Sequence, residues 1–178
     1  MDRTWGVVET VPLNNNIQGY RLFMNSDGVF PNNPEHPAIL LKSVFHGRQQ
    51  EGEQAIIEGG QWTHPWAWGI FPYHHYHSTA WELLLCVKGQ ADVQLGGESG
   101  PHVLVEKGDL VLIPPGFAHK QLRSTGGFTL LGAYPTLGCA GPVDILRGAP
   151  NKIQKDNIAS CVPPKTDPVL GLSLSTLY

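Results

Sequence analysis

Charged side chains are scarce in this sequence. Lys and Arg number 12 and Asp and Glu 15 among 178 residues, 15% of the chain, for a formal net charge of −3. No surplus of positive charge offers a surface to nucleic acid. So thin a charged surface suits a chain that covers part of its exterior with a second copy. A homodimer is expected, the two-fold pair being the commonest closed assembly. Long apolar runs are missing too: no window approaches the ~18 to 20 residues of a membrane span. The N-terminus, MDRTWGVVETVPLNNN, has no apolar stretch of the secretory kind. A cytoplasmic location away from membranes is the expectation. Cysteine is sparse, and Cys86, Cys139 and Cys161 have neither CxxC nor metal-type spacing, so free thiols are expected. Internal repeats and low-complexity segments are absent, which argues against a tandem duplication.

Turn-forming residues are plentiful, with 21 glycines and 15 prolines, beside an apolar fraction of 41% that suffices for a buried core. From Trp62 onward short β-rich runs alternate with Gly and Pro. Strands are predicted at 68–77, 82–88, 90–95, 102–106, 110–113, 119–123 and 127–134. The breaks fall at Gly89, Gly96-Gly97, Gly108-Asp109, Pro114-Pro115-Gly116 and Gly126-Gly127, the double glycines reading as hairpin turns. Evenly spaced short strands of this kind indicate an all-β sandwich or barrel. Residues 1–61 lack that rhythm and read as an extension, with a strand over Ala38 to Phe45 and a helix over Gln49 to Glu58 stopped by Gly59-Gly60. After Pro135 the pattern turns irregular, yet the tail VPPKTDPVLGLSLSTLY is too apolar for a free linker and is expected to pack on the barrel. The chain therefore reads as a single domain over 1–178: extension 1–61, barrel core 62–135 and C-terminal segment 136–178.

The chemistry concentrates in GIFPYHHYHSTAWE, residues 69–82. Side chains alternate faces along a strand, so His75 and His77 point the same way. Two imidazoles on one face reach a shared ion at the ~2.0–2.1 Å of a metal–nitrogen bond. Glu82, opening the next strand, adds a carboxylate oxygen, and PPGFAH at 114–119 delivers His119. Three nitrogens and one carboxylate suit a divalent transition metal with positions left open. The alternative is four polar residues merely satisfied in a core, and the cost of burying them without a partner opposes it. A one-residue slip turns a strand inside out, so His74 and Tyr76 are expected to face away, with His74 a non-ligand.

These residues resemble the cupin superfamily. Its first motif, G-x5-H-x-H-x3,4-E-x6-G, is matched by Gly69, His75, His77, Glu82 and Gly89. Its second, G-x5-P-x-G-x2-H-x3-N, is matched by Gly108, Pro114, Gly116 and His119, with Arg123 standing where the pattern has Asn. The phrases FPNNP, HHYHSTAWE, VQLGG, GDLVLIPPGFAHK, LGAYP and KTDPVLG are similar to the YjlB-like group of single-domain cupins, although Trp81 occupies a place where that group often has His. The resemblance implies a double-stranded β-helix, or jelly-roll barrel, and a metal held by His75, His77, Glu82 and His119. It implies no particular reaction, because the fold hosts many.

Parity with His75 and His77 sends Gly69, Phe71 and Tyr73 inward, and Tyr73 then either donates to a substrate or fills the core. Tyr134 stands in the same position if the last strand turns that face inward. Gln121 and Arg123 share parity with His119. An inward guanidinium calls for an anion, and a substrate carboxylate fits its planar fork; otherwise the strand bulges and Arg123 reaches solvent. Trp62, Trp66 and Trp68 read as a hydrophobic plug or subunit contact in preference to a ligand-binding wall. The expected function is that of a small-molecule metalloenzyme using Fe(II) first, with Mn, Ni or Zn behind it. A dioxygenase-type oxidation comes first, and a redox-neutral isomerase, cyclase or decarboxylase second. A non-catalytic metal- or ligand-binding cupin is the reading from another class. The substrate is a small molecule, anionic if Arg123 faces in.

Overall fold

The computed structural model describes residues 7–13 and 17–178. Along them run β1 (Val7–Pro12), β2 (Gln18–Phe23), β3 (Ala38–Lys42), α1 (Gln49–Glu58), β4 (Trp66–Trp68), β5 (Glu82–Leu95), β6 (His102–Glu106), β7 (Leu110–Ile113), β8 (His119–Ala133) and α2 (Lys152–Ser160), with a 3-10 turn at Leu174–Thr176. The pairings are antiparallel, in the order β1-β2-β3-β7-β5-β8-β4, and β6 pairs with the second half of β5. This mostly β architecture is consistent with the jelly roll that the resemblance implied. No described helix is long and apolar enough to cross a membrane.

The run ELLLCV at the start of β5 is apolar without alternation because both of its faces are buried. Leu83, Leu85 and Val87 join Ile39, Leu112 and Leu131 on one face. Leu84 and Cys86 join Leu40, Val111 and Leu130 on the other. Glu82 shares the parity of Leu84, so it faces the second cluster, inside the barrel. Ile56 of α1 and the tail residues Leu174 and Leu177 cover the first cluster from outside. Each fully buried Leu contributes ~1.5–3 kcal/mol on transfer from water.

Gly89 keeps the interior face consistent along β5. Its φ is +67°, and a Cβ there would stand 2.5 Å from the Thr125 carbonyl oxygen. The register slips at this point, pairing Lys88 with Thr129 but Gln90 with Thr125. Parity therefore shifts by one, and Ala91, Val93 and Leu95 continue the cluster begun by Leu84 and Cys86.

Several expectations need correction. Residues 82–95 and 119–133 are two long bulged strands rather than four short ones, and Gly126-Gly127 form a bulge opposite Gly89, not a hairpin turn. The extension is part of the sheet: β3 pairs with β7 through Ile39 and Leu112, and β2 and β1 follow outward. The strand expected at 68–77 is confined to Trp66–Trp68, because Pro72 has no N–H to donate to a ladder. The C-terminal segment is not wholly irregular, since it contains α2. Asn151 caps that helix, accepting from Gln154 N at 2.9 Å while Gln154 Oε1 accepts from Asn151 N at 2.8 Å. Ile158 is the one residue α2 buries, so no apolar periodicity marks the helix in the sequence.

Candidate metal centre

The two motifs meet through their backbones. His75 N donates to His119 O at 3.2 Å and His119 N to His75 O at 3.0 Å, while Gly116 N donates to His77 O at 2.7 Å. This reciprocal pairing holds the His75 and His119 rings 4.1 Å apart between centroids. One nitrogen from each of His75, His77 and His119 lies within 4.8 Å of the others, so the three buried imidazoles could hold a metal ion. Glu82, paired with Ile113 at the head of β5, comes in beside them. Its Oε2 stands 3.1 Å from His119 Nε2 and 3.5 Å from His77 Nε2. All four side chains are at most 4% exposed.

Each imidazole has its Nδ1 against a backbone carbonyl: His75 on Tyr73 at 3.3 Å, His119 on Phe117 at 3.1 Å, and His77 on Asp144. A carbonyl only accepts, so Nδ1 carries the proton and Nε2 keeps its lone pair, the tautomer a metal ligand needs. His77 Nε2 and Glu82 Oε2 are buried without a hydrogen-bond partner. Unpartnered buried acceptors converging on one point fit a cation there.

The electrostatics agree. Burial alone would raise the Glu82 pKa, but the neighbouring His77, and after it His119, overcome it and hold the carboxyl well below the usual range. Burial lowers His75 to about 3, with His119 beside it adding to the fall. At His77 burial also works downward, yet Glu82 outweighs it and the pKa is raised. The Glu82 charge thus draws a proton to the cluster, and a divalent ion answers the same charge without one.

Of the other candidates, Tyr134 and Gln121 line the cavity that opens on this cluster. Tyr134 OH donates to Glu82 Oε1 at 3.3 Å, opposite the oxygen that faces the histidines. Burial, then Glu82, raises the phenol pKa, so it remains a donor. Gln121 Oε1 accepts from Ile70 N at 3.3 Å. Gly69 and Phe71 also line the cavity, but Tyr73 does not; past Pro72 the strand parity fails. Tyr73 stacks on Phe71 at 5.0 Å and carries the Arg147 guanidinium on its ring at 3.8 Å.

Arg123 does not enter the cavity. The β5–β8 register shifts between Asp92 and Val93, where Asp92 pairs with Arg123 and Val93 with Gln121. The bulge reverses parity after Gln121, and Arg123, 84% exposed, pairs with Asp92 at the surface. The expectation of an inward Arg123 selecting an anion is withdrawn on this geometry. His74 faces away from the three imidazoles, against Gln94 at 3.3 Å, and Tyr76 packs with Phe30 and Ile158. Trp81 also turns away, its ring tilted against Tyr178 at 5.0 Å and His36 at 5.4 Å.

Two features escaped the sequence reading. Asp144 accepts from Ser78 N at 2.6 Å through Oδ1 and from Ser78 Oγ through Oδ2, and it supplies the carbonyl for His77. No local pattern links a residue of the irregular tail to a motif more than 60 positions earlier. The three tryptophans do not cluster: Trp62 is buried in the outer core, while Trp66 and Trp68 form cavity wall.

Antiparallel strands closed around an apolar interior, with His-x-His and Glu meeting a third His from a Pro-x-Gly turn, define a cupin barrel with a candidate metal centre. The cupin domain family (Cupin_2) matches residues 56–129. The chain is 35% identical over 153 residues to the uncharacterized protein YjlB of Bacillus subtilis (strain 168), covering 84% of this chain and 88% of that one. It belongs to the cupin family, beside YjlB. Among solved structures it is similar to RmlC from Streptococcus suis in complex with dTDP-D-xylose, at 9% identity and TM-score 0.33 over 91% of this chain and 97% of that one. It is also similar to procruciferin, the 11S globulin of Brassica napus, at 16% identity and TM-score 0.35, covering 82% of this chain but 28% of that one.

Proposed function

We propose that this chain is a small-molecule metalloenzyme in which His75, His77, Glu82 and His119 hold one divalent transition metal, Fe(II) before Mn, Ni or Zn. Its proposed reaction is a dioxygenase-type oxidation, with a redox-neutral isomerisation, cyclisation or decarboxylation as the alternative. The observation that carries the reading is the pair of buried, unpartnered acceptors, His77 Nε2 and Glu82 Oε2, at the end of a cavity of about 480 Å³. A bound ion would supply a Lewis-acidic and, as Fe(II), redox-active centre with open positions. The protein's part is positional. The three Nδ1–H donors fix the imidazoles, and Tyr134 ties up one oxygen of Glu82 so that the other faces the histidines. The largely apolar walls keep water from the reacting end.

Oxygen uptake by Fe(II)-reconstituted protein tests the reaction class, with a panel of small organic substrates offered under air and under nitrogen. The proposed oxidation predicts uptake coupled to product and lost in His119→Ala; equal product under nitrogen replaces it with the redox-neutral alternative. A homodimer completes the proposal, resting on the low charge content. Light scattering at micromolar concentration then gives twice the chain mass of 19.4 kDa; a mass of one chain removes the dimer.

A further inference from the structure

The cavity walls have a chemistry of their own. Trp66, Trp68, Ile70, Phe71, Phe128 and Ile145 supply its apolar sides, and among the described residues no Lys or Arg lines it. The neighbouring cations are engaged elsewhere: Arg123 with Asp92, Lys120 with Glu98 at 3.0 Å, and Arg147 on the outer face of Tyr73. Among the described residues Glu82 is the sole acidic one of the lining, and it faces the histidines. An anionic group away from the metal would be desolvated beside aromatic faces with no counter-charge. The other polar side chains of the lining, Tyr134 and Gln121, are uncharged and bonded to Glu82 and to Ile70 N.

The aromatic side chains are also ordered. Trp68 meets Phe71 edge to face at 5.7 Å, and Phe71 meets His75 edge to face at 5.0 Å, so a row of rings leads from the surface to the cluster. Trp66 lies directly over β8 because residue 132 is glycine: a Cβ there would fall 1.9 Å from the indole. Any other residue at 132 would displace this wall. Planar walls of this kind favour a planar guest, through stacked and edge-to-face contacts worth ~0.5–1.5 kcal/mol beyond burial.

We infer that the cavity takes an uncharged, planar aromatic molecule of one or two rings, with a small oxygen-bearing group at its metal-facing end. The inference rests on the metalloenzyme reading for the position of that end. The volume, about 480 Å³, lies within the usual range for small-molecule sites.

Hydroxamic acids separate the two ideas, because one chelating group can carry different substituents. Calorimetric titration of the Zn(II)-loaded protein should show benzohydroxamic acid binding about 10-fold more tightly than acetohydroxamic acid, as ring burial and aromatic contact predict. A para-carboxylate on the ring should cost about 10-fold. In Trp68→Ala and Phe71→Ala the preference for the ring should fall to about 3-fold or less; Trp68 is 68% exposed, so its truncation leaves the core intact. Equal affinities for the two hydroxamates, or tighter binding of the carboxylate, would overturn the inference. Failure of the metal reading has a different signature: neither hydroxamate gains affinity when Zn(II) is added. Benzamide against acetamide in the metal-free protein then reads the aromatic preference by itself. A preference for benzamide sustains the inference and its absence overturns it.

Discussion

At the scale of the residue, each imidazole gives one nitrogen to a backbone carbonyl and turns the other to a common point, and Glu82 divides its two oxygens in the same way. Tyr134→Phe removes only the donor on the outer oxygen. Metal affinity should fall about 10-fold, the lower end for such supporting contacts, with the thermal midpoint of the metal-free protein unchanged; competition against a chelator measures the first. Burial raises the thiol of Cys86 to about 12 and that of Cys161 to about 11. A raised pKa means less thiolate at a given pH, so by thiolate fraction at pH 8 Cys161 should alkylate about 200-fold and Cys86 about 2,000-fold more slowly than a free thiol of pKa ~8.5. Mass spectrometry after timed iodoacetamide exposure checks this, and denaturation should restore full reactivity. Arg123→Ala should change stability by less than about 0.5 kcal/mol and leave metal content alone, since an exposed pair contributes little. Urea titration with metal analysis decides that. The convergence of His75, His77, Glu82 and His119 was legible in the sequence because their spacing matches the two motifs, although the segment carrying His75 and His77 is paired only through isolated bridges and not in a regular strand. Arg123 was not, because parity counts only until the first bulge, and nothing in KQLRS marks the slip after Gln121.

At the scale of the element, the C-terminal segment is part of the centre. Asp144 binds the Ser78 backbone and hydroxyl, accepts from Thr79 Oγ1 at 3.3 Å, and presents its carbonyl to His77. Asp144→Ala should destabilise the protein by about 2 kcal/mol, the cost of leaving buried partners unmade. It should also weaken metal binding by about 10-fold, because the backbone carbonyl that orients His77 remains but is no longer anchored by the side chain. Urea denaturation and metal titration read the two effects. The long strands teach the same lesson as the tail. Gly89 and Gly126-Gly127 look like turns in the sequence because glycine serves tight turns and bulges alike. Only the pairing of β5 with β8 separates the two uses. Helix α1 was legible from Ala55, Ile56 and Ile57 followed by Gly59-Gly60, whereas α2, with one buried side chain, offered no period to read.

At the scale of the whole molecule, two apolar clusters on either face of one antiparallel sheet carry the fold, and the candidate metal-binding residues sit beside the inner one. Strands β3, β5 and β7 contribute to both clusters, so the barrel should stand without the ion, and the ion should add stability by mass action. That separation makes the central claim, a metal held by His75, His77, Glu82 and His119, directly measurable. The decisive measurement is metal content per chain by elemental analysis of untagged protein, compared with His77→Ala and His119→Ala, with circular dichroism as the check on folding. The account predicts about one divalent ion per chain in the parent, and loss of most of it in both variants with the β spectrum intact. Full metal retention in both folded variants would contradict it.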